Sequence, residues 1–191
     1  MIITITGGSG SGKSAVGETI AQKLCPQTKY YIATMEAFGK EASERIAKHR
    51  RMRADKNFLT VECPVGLSEI NLPTGSTAML ECMSNLTANE MFSENGCGTA
   101  YGEAPEKQQE ILLETICRGV DKLATNCQNL IIITNEIFAD SIDYDDTSVN
   151  YIRNLGLINQ YLFKISDVCI ESVYSIPVFH KGALPWQLSN L

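Results

Sequence analysis

The segment ITITGGSGSGKSAVGETIAQKL, residues 3–24, decides the fold of this chain. Its β-branched apolar start predicts a buried strand over Ile2–Thr6, and the residues after the glycine-rich turn predict a helix over Lys13–Leu24. A strand that runs through a short turn directly into a helix is typical of α/β proteins. The rest of the chain should then show the same alternation of strand and helix.

The turn between strand and helix carries a phosphate-binding motif. Gly7, Gly12, Lys13 and Ser14 match the pattern G-x-x-x-x-G-K-[ST], in the strand-to-helix context that the motif requires. Glycines let backbone N–H groups face a phosphate, and the N-terminus of the helix adds a favourable dipole. In such loops the lysine reaches the β and γ phosphate oxygens, and the hydroxyl group ligates Mg²⁺. We interpret residues 7–14 as a nucleoside triphosphate site, the P-loop, rather than as a flexible Gly/Ser linker.

Strand and helix patterns alternate along the rest of the chain. The predicted strands are Ile2–Thr6, Tyr30–Thr34, Phe58–Glu62, Thr77–Glu81, Leu130–Thr134 and Val168–Val173. The predicted helices are Lys13–Leu24, Lys40–Met52, Glu106–Thr125 and Val149–Lys164. Several strands are apolar on both faces, which is typical of a parallel sheet covered on both sides. We therefore predict one α/β domain over residues 1–191, with a mostly parallel sheet flanked by helices.

Composition excludes several classes of protein. The 191 residues are 44% hydrophobic and 20% charged, which is typical of one globular core and not of a disordered chain. No apolar run is long enough to span a membrane. The seven cysteines form no C-x-x-C pair, so we expect reduced thiols, no zinc site and a cytoplasmic protein.

Charge is distributed unevenly along the chain. The net charge is −6, yet residues 1–56 hold ten Lys and Arg against five Asp and Glu. An excess of positive charge near the P-loop indicates a small anionic ligand. It is too local, in an otherwise acidic chain, to indicate nucleic acid binding.

A carboxylate is expected to help hold the metal ion. In open α/β sheets ligands bind beyond the carboxyl ends of the strands. Glu81 ends one predicted strand and is our candidate, while Glu62 ends another and Glu136 follows a third in LIIITNE. An acidic residue at a strand end is equally often a solvated terminus, so residue spacing alone leaves all three open.

The basic segment ERIAKHRRMR, residues 44–53, allows two interpretations. On a helix, Glu41, Arg45, His49 and Arg53 would share one face, because they are spaced four residues apart. Spacing alone favours a solvated basic helix with an incidental histidine. The alternative is that the arginines bind phosphates and neutral His49 attacks one of them.

Several motifs together resemble the bifunctional adenosylcobinamide kinase and adenosylcobinamide-phosphate guanylyltransferase family of cobalamin assembly. In YIATMEAFGKEASERIAKHRRMR, the spacing from Thr34 to Glu41, Arg45, Ile46 and His49 agrees with the second signature of that family. Further stretches similar to family motifs are GGSGSGKS, FLTVE, MLECM, TNE, GLINQ and SIPVFHK. The resemblance therefore covers nearly the whole chain.

The resemblance implies a small RecA-like P-loop enzyme with two activities. It would phosphorylate the aminopropanol hydroxyl of adenosylcobinamide with ATP or GTP, and then transfer GMP from GTP through a guanylylated histidine, His49. The implied catalytic residues are His49 and Lys13, and the implied Mg²⁺ ligands are Ser14 and Glu81. The implied nucleotide-binding residues are Gly7, Gly8, Ser9, Gly10, Ser11, Gly12, Lys13, Ser14, Ala15, Ile32, Ala33, Thr34, Arg50, Arg51, Met52, Arg53, Glu62 and Glu81. The family also implies a corrinoid substrate and a homotrimer.

The sequence departs from the family pattern at several positions. Gly10 replaces an arginine, Gly39 replaces an acidic residue, Phe58 replaces a tryptophan, and the stretch after Glu136 differs throughout. Three alternatives therefore stay open: a member with one of the two activities, a P-loop kinase for another small metabolite, and a GTP-binding regulatory module without turnover.

Four residues in the last third of the chain have simpler interpretations. We expect His180 to pack at a strand end, and Asn159 and Gln160 to be helix-surface amides or local hydrogen-bond partners. Trp186 is expected to anchor the C-terminal segment or an oligomer contact.

Overall fold

The computed structural model describes residues 1–36, 54–99, 104–138 and 143–188. Its strands are β1 Ile2–Thr6, β2 Lys29–Ala33, β3 Phe58–Glu62, β4 Ser76–Glu81, β5 Cys127–Ile133, β6 Val168–Val173 and β7 Ile176–Lys181. Its α-helices are α1 Lys13–Leu24, α2 Met83–Phe92, α3 Pro105–Asn126, α4 Asp146–Ile165 and α5 Pro185–Leu188. Short 3₁₀ turns cover Ala54–Lys56, Leu67–Glu69 and Cys97–Thr99.

The seven strands form one sheet in the order β3-β2-β4-β5-β1-β6-β7. Every neighbouring pair is parallel except β6 and β7, which form an antiparallel hairpin at one edge. The turn of this hairpin places Tyr174 and Ser175 at φ angles of 51° and 65°. Because β1 lies between β5 and β6, the P-loop that follows it emerges near the middle of the carboxyl edge of the sheet.

Helices cover both faces of the sheet. Consecutive residues of a strand point to opposite sides, so a strand that is apolar throughout places apolar side chains on both faces. Met79 of β4 and Ile131 of β5 belong to the core cluster that contains Ile20 of α1. Their neighbours Leu80 and Ile132 belong to the cluster that contains residues of α2, α3 and α4. The α1 helix thus covers one face and the other three long helices cover the opposite one.

The predicted elements agree with the structure where local patterns are strong. The strands Ile2–Thr6, Phe58–Glu62 and Val168–Val173 and the helix Lys13–Leu24 have their predicted bounds, and five other elements agree within a few residues. The sequence did not predict α2 or β7. The helical prediction Lys40–Met52 lies outside the described residues.

Both missed elements have weak local signals. The α2 segment MSNLTANEMF has few apolar residues at helical spacing and contains asparagine and threonine, which are poor helix formers. The β7 segment contains Pro177, which cannot donate a ladder hydrogen bond and restricts a strand to the edge of a sheet. Its edge position in the structure agrees with that restriction.

All seven cysteines are free thiols, and Cys63, Cys127 and Cys169 are buried. Burial raises the pKa of Cys63 and of Cys127 to about 11, so both thiols stay protonated at neutral pH. Across the described ranges, we find no helix with the length and apolar character to cross a membrane.

Candidate active site

The P-loop folds tightly between β1 and α1. Gly12 immediately precedes α1 with φ 86°, and a Cβ atom on it would lie 2.1 Å from Ser175 Oγ. Both the left-handed backbone and the close approach of the hairpin turn therefore require glycine at this position. The turn also bonds to the loop directly, because Ser175 N donates to Ser11 O at 2.8 Å.

Lys13 points back into the loop that precedes it. Its Nζ donates to Gly8 O at 3.0 Å, and the side chain is almost fully buried. Burial lowers the pKa of Lys13, while the neighbouring Cys82 and Glu81 oppose that shift. An ammonium group held inside a curled loop of backbone N–H groups is suited to bind the oxygens of a phosphate chain.

Glu81 is the strand-end carboxylate that meets the P-loop. Ser14 Oγ donates to Glu81 Oε1 at 2.5 Å, and the Tyr31 hydroxyl donates to Glu81 Oε2 at 3.0 Å. The other two candidates lie elsewhere: Glu62 is exposed at the end of β3, and Glu136 Oε1 accepts from Phe138 N at 2.9 Å. The structure therefore favours Glu81 over Glu62 and Glu136 as the partner of Ser14.

The Ser14–Glu81 pair has the chemistry of a magnesium site. Both side chains offer oxygen, and Mg²⁺ in nucleotide enzymes is usually bound by one or two protein oxygens, substrate phosphates and water. Within the described part of the chain, no group of three or more His, Cys, Asp or Glu side chains could hold a metal ion by itself. These residues fit a magnesium ion that arrives with its nucleotide.

Thr34 joins the ends of β2 and β4. Its hydroxyl donates to Cys82 O at 2.9 Å and accepts from Cys82 N at 2.8 Å. Asn89 of α2 donates to Thr34 O at 2.8 Å and to Pro64 O at 3.0 Å. These bonds hold the segment Ile32–Thr34 beside Glu81, at the same edge of the sheet as the P-loop.

A second hydrogen-bond network joins the motif TNE after β5 to helix α4. Thr134 Oγ1 donates to Asn159 Oδ1 at 2.6 Å, and Asn159 Nδ2 donates to Asn135 O at 3.2 Å. Asn135 Nδ2 in turn donates to Ser84 Oγ of α2 at 2.5 Å. The backbone N of Glu136 donates to Gly7 O at 3.1 Å, so the network reaches the P-loop. Asn159 is thus a local hydrogen-bond partner, whereas Gln160 is exposed.

His180 does not pack at a strand end as expected. It is exposed on β7, and its Nε2 lies 2.9 Å from Glu171 Oε2 on the neighbouring strand. The alternation of β7 decides this, because the side chain falls on the solvent side of an edge strand. His49, Arg50, Arg51, Met52 and Arg53 lie outside the described residues, as do Glu41 and Arg45.

Several residues that shape the site are absent from the predicted set. Tyr31, Asn89 and Ser175 reach it from β2, α2 and the β6–β7 turn, and each is distant from the P-loop in sequence. Tyr31 and Ser175 are the first residues of two family-like stretches, YIAT and SIPVFHK, but neither stretch indicates that these side chains meet the P-loop. Asn89 follows the motif MLECM, and this was the one signal that pointed towards it.

Comparison with protein families gives a match over most of the chain. The model of the cobinamide kinase / cobinamide phosphate guanyltransferase family matches residues 3–178. The chain belongs to this family. This confirms the resemblance found in the motifs and makes the chain a member of a transferase family of cobalamin biosynthesis. A comparison with curated proteins gave no significant match.

One solved structure supports the P-loop NTPase fold. A prototypical ATPase from the type III secretion system of pathogenic bacteria is 12% identical, with a TM-score of 0.52, over 98% of this chain and 61% of that one. The flagellar accessory protein FlaH from Methanocaldococcus jannaschii is 10% identical, with a TM-score of 0.45, over 95% of this chain and 78% of that one. This family member spans less than two thirds of the secretion ATPase, and the likeness concerns the fold alone.

Proposed function

We propose that this family member carries out both steps of its family's chemistry. It phosphorylates the aminopropanol hydroxyl of adenosylcobinamide with ATP or GTP, and then transfers GMP from GTP through a guanylylated His49 to give adenosylcobinamide-GDP. The family match over residues 3–178 carries this proposal. The contact between Ser14 and Glu81 supports it, because it assembles a P-loop with a metal-binding carboxylate.

In the kinase step, the chain positions the phosphates and neutralises their charge. Lys13 leaves Gly8 O and binds the β and γ phosphate oxygens, so that the charge that develops during transfer faces an ammonium group. Ser14 and Glu81 would hold Mg²⁺, which supplies further charge neutralisation to the same oxygens. Tyr31 keeps the Glu81 carboxylate oriented towards Ser14.

In the transferase step, His49 is the nucleophile. A neutral imidazole nitrogen attacks the α-phosphorus of GTP, which forms a P–N bond and breaks the bond to the bridging oxygen, so that pyrophosphate leaves. A phosphate oxygen of phosphorylated adenosylcobinamide then attacks the same phosphorus, breaks the P–N bond and frees the histidine. We assign phosphate binding to Arg50, Arg51 and Arg53, and nucleoside binding to Met52, Ile32–Thr34 and Glu62.

A labelling experiment tests the transferase step. Protein, Mg²⁺ and GTP labelled at the α-phosphate are incubated, and the label retained on denatured protein is measured. We expect acid-labile, base-stable label on the wild type and none on His49→Ala. The chain has two histidines, so His180→Ala is the matched control and should keep its label. Retention of label by His49→Ala would refute the assignment of the nucleophile.

A second experiment tests the kinase step and the substrate. Adenosylcobinamide and ATP labelled at the γ-phosphate should give a labelled corrinoid with the wild type and not with Lys13→Ala. If GTP labels the protein but ATP gives no labelled corrinoid, the protein is a guanylyltransferase alone. If ATP gives a labelled corrinoid but GTP does not label the protein, it is a kinase alone. Turnover of neither kind, with GTP bound, would indicate a regulatory module. The homotrimer implied by the family stays a prediction, which sedimentation equilibrium can test.

A further inference from the structure

A groove of about 350 Å³ begins at the P-loop and runs along α1. Its walls come from α1, from β7 with the turn before it, and from α5. Its lining includes Ala15, Thr19, Lys23, Pro177, Phe179 and Trp186. None of the catalytic steps described above uses this groove beyond Ala15.

The position of Glu81 indicates the direction in which a triphosphate would lie on the P-loop. In such loops the lysine and the metal-binding residues contact the β and γ phosphates. Here Lys13 lies near Glu81 and Cys82, and Ser14 contacts Glu81, so the γ end faces the end of β4. On the sheet, β4 and β5 lie on one side of β1, and the β6–β7 hairpin lies on the other. The α-phosphate end therefore faces the hairpin and the first turn of α1.

The groove starts where the nucleoside must leave the loop. Ala15 directly follows Ser14, and Thr19 and Lys23 continue the same face of α1 at four-residue spacing. On the opposite wall, Ser175 is bonded to Ser11 of the P-loop at 2.8 Å. A nucleoside attached to phosphates in the loop would enter this space without crossing a strand.

We propose that this groove binds the nucleobase and ribose of the triphosphate held by the P-loop. The proposal rests on nucleotide binding by the P-loop and does not require the corrinoid chemistry proposed above. Phe179, Pro177 and Trp186 offer apolar and aromatic surface, and nucleobases stack well on such side chains. The Trp186 ring lies against α1, with Lys23 Nζ 5.1 Å from its centroid. This ring gives Trp186 a ligand-binding role in addition to anchoring the C-terminal segment.

This nucleoside site differs from the one assigned to the transferase step. Ile32–Thr34 and Glu62 lie on β2 and β3, beyond β4 from the P-loop, whereas the groove lies beside β6 and β7. One triphosphate cannot place a single base on both sides of the loop. The groove therefore holds the donor of the kinase step, and the nucleoside assigned to Ile32–Thr34 and Glu62 lies on the opposite side.

The single tryptophan of the chain makes the proposal directly measurable. Trp186 fluorescence is titrated with Mg²⁺-ATP, with Mg²⁺-GTP and with Mg²⁺-tripolyphosphate, which has phosphates but no base. We expect a saturable fluorescence change with either nucleotide, and no change with tripolyphosphate, which should still compete with them. An equal response to tripolyphosphate, or none to a nucleotide shown to bind by calorimetry, would overturn the proposal.

A pair of variants gives an independent test. Thr19→Phe fills the groove from an exposed position of α1, and Gln22→Phe places the same side chain on α1 outside the groove. We expect Thr19→Phe to weaken Mg²⁺-ATP binding by at least about tenfold, which is about 1.4 kcal/mol. The affinity of Thr19→Phe for tripolyphosphate should stay unchanged. Gln22→Phe should keep its affinity for both Mg²⁺-ATP and tripolyphosphate. Unchanged ATP binding by Thr19→Phe, or an equal loss of affinity for tripolyphosphate, would contradict the proposal. A loss of corrinoid turnover without a loss of nucleotide affinity would count against the proposed function and not against this site.

Discussion

Replacing Glu81 by glutamine tests the central contact of the site. The substitution keeps the shape of the side chain and removes one negative charge beside Ser14 and Tyr31. A glutamine keeps one acceptor oxygen, and the two hydroxyls contact different oxygens of Glu81, so only one of them keeps its acceptor. The other hydroxyl then faces the amide N–H₂ group, so it must rotate to accept a hydrogen bond from that group instead of donating one.

The expected loss follows from the geometry of the contact. Because Ser14 Oγ lies 2.5 Å from Glu81 Oε1, a cation bound to the serine oxygen lies within a few ångströms of the carboxylate. Two opposite unit charges about 4 Å apart attract by about 4 kcal/mol at an effective dielectric constant near 20. Water replaces part of this attraction, so we expect a loss of about 3 kcal/mol and a fall in kcat of roughly a hundredfold or more.

The fold should tolerate the same change. One neutral hydrogen bond replaces one bond to a charged group, which costs about 1 kcal/mol. For a chain of this length that corresponds to a fall in Tm of about 2–4 °C. A thermal melt followed by circular dichroism therefore separates loss of activity from loss of structure.

The assay measures the rate of Mg²⁺-dependent phosphorylation of adenosylcobinamide at saturating ATP. Glu136→Gln is the matched control, because Glu136 follows the neighbouring strand β5 and its carboxylate accepts from Phe138 N instead of meeting Ser14. We expect this variant to keep its rate. A Glu81→Gln enzyme within about threefold of the wild type, or an equal loss in Glu136→Gln, would refute the assignment of Glu81.

Three further predictions follow from other contacts. Tyr31→Phe removes one hydrogen bond from Glu81, worth about 1.5–3 kcal/mol before the carboxylate relaxes, so kcat should fall by about tenfold while KM for ATP changes little; steady-state kinetics check this. Gly119→Ala should lower Tm, because the new Cβ would lie 2.8 Å from Leu67 Cβ. Gly156→Ala should raise Tm by a few degrees, because the nearest atom would lie 3.5 Å from the new Cβ and alanine favours the helix by about 1 kcal/mol. Differential scanning calorimetry compares the two variants. Burial raises the pKa of Cys63 and of Cys127 from 9.0 to about 11, so on raising the pH the unfolded chain loses these two protons before the folded chain does. The free energy of unfolding should therefore fall between pH 9 and pH 11. Urea titrations should show a shallower fall in a variant with both cysteines replaced by alanine.

Much of the fold follows from local patterns in the chain. The strand before the P-loop and the helix after it are contiguous in sequence, and their predicted bounds coincide with the observed ones. Strands such as β5 are apolar on both faces, which predicted a sheet covered on both sides. In contrast, β7 and α2 were missed, because an edge strand with a proline and a weakly patterned helix depend on the contacts that they make after folding.

The residues of the candidate site also divide into those that local sequence marks and those that only the folded chain brings together. Lys13 and Ser14 belong to one short motif, so the sequence by itself determined their place on the P-loop and, with the other motifs, the family. Residue spacing made Glu81 the candidate but left Glu62 and Glu136 open, because all three lie at or just after the end of a strand and local sequence does not encode the order of the strands.

Only the tertiary structure decided which distant residues meet the P-loop. The order β4-β5-β1-β6-β7 brings Glu81 to Ser14 on one side and the turn at Ser175 to Gly12 on the other. The same order turns the groove lined by Trp186 towards the loop. These pairs are separated by many residues, and their contacts form only when the whole sheet buries its two apolar faces. The sequence alone therefore determined the phosphate-binding motif, and the packing of the sheet decided which carboxylate contacts Ser14 and which groove adjoins the loop.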